Sequence, residues 1–239
     1  MKIITYKNNL ITYENFLKKA QESNYIDGLI IPITMTKDME IVVFDDQITG
    51  TQRTEILQNN TFNELQNSAI IKLEDFLNKI SNFSKRIIIN AYPLYQVILS
   101  NETIQYINEQ NINYVNKINN IIKKFPNLKI SLCTFSQPLL QFIKRIIPTK
   151  KKGLIIIQDD LNYMDVDFYI IAPTMLDAII INEQLQKGKE IMISSFSSND
   201  LAIIDDYFNN KPNNIKNILF NKLTFISAFP DIFYRLFTK

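Results

Sequence analysis

Short apolar runs rich in β-branched residues alternate along this chain with longer amphipathic segments, and this alternation limits the fold more than any other feature. Residues 2–5, 28–33, 86–91, 128–133, 153–157, 167–171, 190–194 and 223–226 read as strands. They are nearly continuous in apolar character, as parallel strands buried on both faces are. A further short strand is read at 40–44. The spacing of apolar residues predicts helices over 12–23, 102–124, 137–146, 174–186 and 199–208. Helical turns are expected near 61–66 and 73–80, and a short terminal helix from Asp231. Thr12 is the expected N-cap of the first helix, and Ser198 or Asn199 that of the helix over 199–208. Pro126 follows the long helix, and Gly188 marks the end of the one over 174–186.

Strand and helix in regular alternation predict a (β/α)8 barrel, with an open doubly wound sheet as the alternative. The 239 residues suit one such barrel, which commonly takes about 250. No Gly/Ser-rich linker or shift in composition divides the chain, so residues 1–239 are expected to form one domain.

The chain contains no histidine. This removes Ser-His and Cys-His nucleophile pairs, imidazole acid–base catalysis and imidazole metal ligands together. The single cysteine, Cys133, excludes a disulfide framework and a cysteine-based zinc site. It lies in an apolar run and reads as a small buried hydrophobe; a reactive thiol is the alternative and would need a nearby base. A net charge of +2 is too balanced for a dedicated nucleic-acid binder, so no nucleic acid is expected as a partner. No apolar stretch reaches the roughly 18 residues of a membrane-spanning helix, and the first residues do not form a signal peptide. The expected location is cytoplasmic, with no transmembrane segment.

Barrels of this kind carry their sites at the C-terminal ends of the strands. The residues there are Tyr6 and Lys7, Ile30 to Pro32, Asn90 to Tyr92, Thr134 to Ser136, Ser194 to Phe196, and Ser227 to Phe229.

Several blocks resemble the glycerophosphodiester phosphodiesterase family. Asp27-Gly28 leads through Thr36-Lys37-Asp38 to Val42-Val43-Phe44-Asp45-Asp46, similar to the family's D-G-I-E-x-D-V-x-x-T-K-D-G followed by V-V-x-H-D. Thr61-Phe62-Asn63-Glu64-Leu65 resembles T-x-x-E-L, and Ile71 to Leu77 resembles I-P-T-L-E-E-x-L. Phe225 to Asp231 resembles I-I-T-D-x-P-D. The resemblance spans nearly the whole chain; the Thr-Lys-Asp block is its most specific part. It implies a TIM barrel of the phospholipase C-like phosphodiesterase type and a role connected with lipid metabolism.

The departures from the family pattern fall on its chemistry. Where the resemblance places His-Arg-Gly, this chain has Tyr6, Lys7 and Asn8. The metal-binding Glu-x-Asp falls on Ile30 and Pro32, and the second catalytic His on Phe44. The third metal carboxylate falls on Asn90 and its accompanying Lys on Tyr92; the Thr-Asp of the last strand is Ser227-Ala228. A hard divalent cation needs several oxygen ligands, preferably anionic; Ile30 offers none and Pro32 only a carbonyl. Phe44 has no ionisable group, and a tyrosine such as Tyr6 titrates near pH 10.

The expectation is a pseudoenzyme with no catalytic or metal-binding residues, no cofactor, and a ligand-binding or protein-interaction role. A divergent phosphoric diester hydrolase acting on glycerophosphodiesters is the alternative. Candidate binding residues are Lys7, Tyr6, Asn90, Tyr92, Ser194, Ser195 and Ser227. The ligand would be a phosphate-containing small molecule, and an active relative is the possible protein partner; the same side chains could instead fill the mouth with no ligand. Lys7 would supply a charge without the bidentate fork of Arg. Asp45 and Asp46 read as a solvated turn, with a new carboxylate site as the alternative. Lys150-Lys151-Lys152 reads as a solvated loop. Phe229, Phe233, Tyr234 and Phe237 read as barrel packing rather than a membrane-binding face, with a partner-binding face as the sharper alternative.

Overall fold

A computed structural model of the protein describes residues 1–7, 12–44, 51–65, 70–94, 101–156, 164–176, 179–195, 197–211, 219 and 221–237. In chain order the elements are β1 (Lys2–Tyr6), α1 (Tyr13–Glu22), β2 (Gly28–Met35), β3 (Ile41–Val43), α2 (Thr51–Asn59), β4 (Ile71–Lys72), α3 (Leu73–Lys79), β5 (Arg86–Ala91) and α4 (Asn101–Lys123). They continue with β6 (Lys129–Thr134), α5 (Gln137–Ile146), β7 (Lys151–Ile156), β8 (Phe168–Ile171), a 3₁₀ turn (Pro173–Met175), α6 (Ile179–Gln186), β9 (Glu190–Ser195), α7 (Ser198–Asn209), β10 (Leu223–Ser227) and α8 (Pro230–Phe237). The strand order β1-β10-β9-β8-β7-β6-β5-β2 returns to β1, because β1 pairs in parallel with both β10 and β2. These strands form a closed parallel barrel, which excludes the open sheet. β3 and β4 extend β2 outward as an antiparallel excursion.

Side-chain alternation divides the core. Ile3, Leu29, Ile87, Leu132, Ile193 and Phe225 face outward and pack with the helices. Ile4, Ile30, Ile88, Cys133, Ile170, Met192 and Ile226 meet in the barrel interior. Burial pushes the Cys133 thiol far above its ordinary pKa, and the nearby Arg86 charge only partly opposes this. The thiol is therefore an inert part of the core.

The interior turns polar where the strands begin. Arg86 Nη1 donates to both carboxylate oxygens of Glu190 at 2.9 and 2.7 Å, and its Nε donates to Ser131 Oγ at 3.2 Å. Thr224 Oγ1 donates to Glu190 at 3.2 Å, and the guanidinium lies 4.7 Å from the centre of the Phe168 ring. Gly153 makes room for that ring, since a Cβ there would meet it at 2.1 Å. Two aspartates pin the strand ends from outside. Asp27 Oδ2 accepts the N–H of Ile3 at 2.8 Å, and Asp167 Oδ2 accepts that of Lys152 at 2.8 Å. The barrel seam is held by Asp231 at the start of α8, which accepts hydrogen bonds from Lys19 and Tyr25.

Most expected elements are present within a residue or two. Thr12 caps α1, accepting the N–H of Asn15, and Gly188 follows α6 with φ 74°. Four expectations are corrected. Lys151 and Lys152 belong to β7 rather than to a solvated loop, and Lys152 is buried with its ammonium donating to Pro148 O at 2.6 Å. Residues 62–65 are a turn rather than helical, and the helix of this region is α2. The segment 174–186 is broken, with a 3₁₀ turn before α6. The cap of α7 is Ser197, in a reciprocal capping box with Asp200, because an acid at the third helical position can return a bond to the cap amide.

Glu190→Ala strands Arg86 beside a hydrophobic interior and is expected to cost about 3 kcal/mol. Thermal denaturation should show a fall in Tm of roughly 6–12 °C. Gly153→Ala is expected to destabilise by a similar amount, about 3 kcal/mol, through overlap with Phe168. Trimming the ring in Gly153→Ala/Phe168→Leu should recover part of that loss.

Candidate functional site

The C-terminal ends of the barrel strands carry the residues on which the phosphodiesterase resemblance places its chemistry. Tyr6 lies in register with Ile30, Pro32 with Asn90, and Asn90 with Cys133. These positions therefore occupy neighbouring strands at one mouth. Their surroundings are apolar. Ile30 is buried in the interior cluster, with Tyr6 packed against it. The carbonyl of Pro32 accepts the N–H of Phe44 at 3.3 Å. Phe44 is 2% exposed and packs with Leu57 and Leu65.

Three rings from three different strand ends form a row across this region. Phe44 meets Tyr92 edge-to-face at 5.2 Å between centres, and Tyr92 meets Phe135 in the same way at 5.3 Å. Such pairs are favourable beyond their buried area. The backbone places Tyr92 through its N–H, which donates to Ile33 O at 2.9 Å; Tyr114 donates its hydroxyl to the same carbonyl at 3.0 Å. Lys7 holds its ammonium 4.8 Å from the centre of the Tyr13 ring.

Asn90 is 8% exposed, and its Oδ1 accepts no hydrogen bond from the described residues. An amide oxygen buried in this way is costly to the fold. Ser194 follows the inward Met192 on its strand face and donates its hydroxyl to Ile171 O at 3.0 Å. The same alternation turns Ser195 and Ser227 to the outer side, in register with one another and with Thr5. Ser227 Oγ accepts the N–H of Phe229 at 3.1 Å. The mouth thus gathers Tyr6, Asn90, Tyr92 and Ser194, with Lys7 beside it, but not Ser195 or Ser227. Asn8, Asp45, Asp46 and Phe196 lie outside the described residues. Among the described residues no three His, Cys, Asp or Glu side chains are grouped to hold a metal ion.

The best-preserved blocks of the resemblance have a different task. Thr36 Oγ1 donates to the Asp38 carboxylate at 2.6 Å and accepts the N–H of Glu40 at 3.0 Å. Asp38 also accepts the N–H of Phe62 at 2.9 Å, and Lys37 N–H donates to Asn60 O at 3.0 Å. Burial alone would raise the Asp38 carboxyl, but the bonds from Thr36 and Phe62 outweigh it and hold the pKa below the ordinary value. Met39, at the position of the family's glycine, has φ 65°. Glu64 closes the next turn by accepting from the N–H and hydroxyl of Thr61 at 2.7 and 2.8 Å. These residues fasten the β2–β3 connection to the segment after α2. The row of rings and the orphaned Asn90 oxygen were not anticipated; an isolated Asn within the apolar run of β5 was their one visible signal.

Asn90→Leu removes the buried acceptor at similar volume. Thermal denaturation of the unliganded protein should show stability unchanged or raised by about 1 kcal/mol.

No family model matches the chain, and no curated protein matches it either. Solved structures do. A glycerophosphodiester phosphodiesterase from Parabacteroides distasonis superposes with a TM-score of 0.70 at 14% identity, over 99% of this chain and 96% of that one. A phosphodiesterase from Oleispira antarctica, in complex with the product sn-glycerol-3-phosphate, gives 0.69 at 14% identity over 100% and 97%. A glycerophosphodiester phosphodiesterase from Thermotoga maritima gives 0.62 at 16% over 98% and 97%. The chain has the (β/α)8 barrel fold of the glycerophosphodiester phosphodiesterases.

Proposed function

We propose that the protein is a catalytically inactive glycerophosphodiester phosphodiesterase-like barrel, whose mouth binds a phosphate-containing small molecule or engages an active relative. The observation that carries this reading is that Phe44 and Tyr92 pack ring against ring and Ile30 is buried, where the resemblance places a base, a lysine and a metal carboxylate. In-line attack on a phosphodiester needs a proton acceptor for the nucleophile, a donor for the leaving oxygen and charge to offset the phosphate. Phe44 and Ile30 supply none of these. Tyr6, Asn90, Tyr92 and Ser194 keep hydrogen-bonding groups at the mouth, and Lys7 keeps one positive charge where the resemblance places Arg. That set suits binding without turnover. A neighbour of the same fold holds sn-glycerol-3-phosphate, which makes that compound the first ligand to try.

Purified protein incubated with glycerophosphodiesters, with Mg²⁺, Ca²⁺ or Mn²⁺ added in turn, is expected to release no glycerol phosphate above a chelator control. Turnover that co-elutes with the protein and disappears with chelator would overturn the proposal and favour a divergent hydrolase. Calorimetric titration with sn-glycerol-3-phosphate should show binding that Lys7→Ala weakens by about tenfold. If neither this compound nor an active barrel relative binds, the binding role is wrong.

A further inference from the structure

The two ends of the barrel use their charged residues differently. Strands begin and helices end at the end opposite the mouth, and the helix macrodipole favours cations there. Lys2, Lys129 and Lys151 open β1, β6 and β7, and Lys222 directly precedes β10. All four are exposed, and none has an ion-pair or hydrogen-bond partner for its ammonium group among the described residues. Four acids of the same end are already engaged: Asp27 and Asp167 accept strand-end amides, Glu190 is held by Arg86, and Asp165 pairs with Lys189 at 2.6 Å. Glu22, exposed at the end of α1, and Glu183, exposed in the last turn of α6, offset part of the lysine charge.

Beside this rim lies α8, packed on β1 and β10, the strands that carry Lys2 and follow Lys222. Phe233 is buried beneath it. Ile232 and Leu236, one helical turn apart, are 51% and 50% exposed, and Arg235 is exposed between them. Asp231 at the start of α8 and Tyr234 one turn on both meet Tyr25, in the turn that precedes β2 at the lysine-bearing end.

We propose that this end of the barrel docks on an anionic lipid surface, with the four lysines over the headgroups and Ile232 and Leu236 entering the interface at its edge. Cationic side chains spread round the rim of a closed barrel meet a plane at several points. A single nucleic-acid strand is instead gripped by a groove with aromatic stacking platforms. Of the exposed apolar side chains of α8, Ile232 and Leu236 are aliphatic, and the one ring, Tyr234, has a face stacked on Tyr25 at 4.7 Å. Attraction through both charge and apolar contact is the combination that holds peripheral proteins to membranes. Docked in this way, the barrel leaves its mouth facing solution.

Co-sedimentation with phosphatidylcholine vesicles, with and without added phosphatidylserine, tests this on the full chain. Binding is expected only to the serine-containing vesicles and should weaken as salt rises. Each lysine removed should cost about fivefold in affinity, so Lys129→Gln/Lys151→Gln should bind roughly 25-fold more weakly. Leu236→Ser should weaken binding in a way that salt does not mimic. All these positions are exposed, so unchanged thermal melts are expected to show that the variants fold. Equal binding to neutral vesicles, no binding to either kind, or tighter binding to a single-stranded oligonucleotide than to the anionic vesicles would overturn the proposal.

Discussion

The closed interior of the barrel has to be filled, and every barrel strand must supply inward side chains of the right size and polarity at each height. At the beginning of the strands the filling is polar: Arg86 is shared among Glu190, Ser131 and the face of Phe168, with its Nη2 left without a hydrogen-bond partner among the described residues. In the middle it is apolar, from Ile4 and Ile30 round to Met192 and Ile226. This middle layer sets the chemistry of the mouth. A carboxylate at position 30 would sit against these same side chains, and an uncompensated buried charge costs several kcal/mol. An apolar interior at this height and an anionic metal cradle are therefore competing solutions, and Ile30 belongs to the first.

The resemblance to phosphodiesterases divides along the same line. Thr36, Asp38, Thr61 and Glu64 form hydrogen bonds that fix backbone turns, and such bonds serve the barrel whatever its activity. Positions 30, 44 and 92 serve only chemistry or packing, and here they hold residues that pack. The positive φ of Met39 fits this division, since the turn retains a geometry that glycine adopts without strain.

The sequence showed the barrel because parallel strands buried on both faces leave unbroken apolar runs, and such runs spaced by helices have few topological solutions. Closure was less visible, since it depends on β1 pairing with both β2 and β10, at opposite ends of the chain. Helix α2 was hidden because Thr51–Asn59 is mostly polar, with Leu57 buried and Ile56 exposed. Arg86 and Glu190 are 104 residues apart; their parity with the inward Ile88 and Met192 was the available signal, and reading it required knowing which face was inside. The same ambiguity of face grouped Ser195 and Ser227 with Ser194. The row Phe44–Tyr92–Phe135 joins three strand ends whose adjacency exists only in the folded barrel.

The proposed inactive mouth stands or falls most directly on metal binding. Titration of the purified protein with Mg²⁺, Ca²⁺ and Mn²⁺, followed by calorimetry at neutral pH, is expected to show no saturable site. Adding three carboxylates, in Ile30→Glu/Pro32→Asp/Asn90→Glu, is expected to create one if the variant folds. A saturable site for one divalent ion in the unaltered protein, blocked by a competing chelator, would contradict the account.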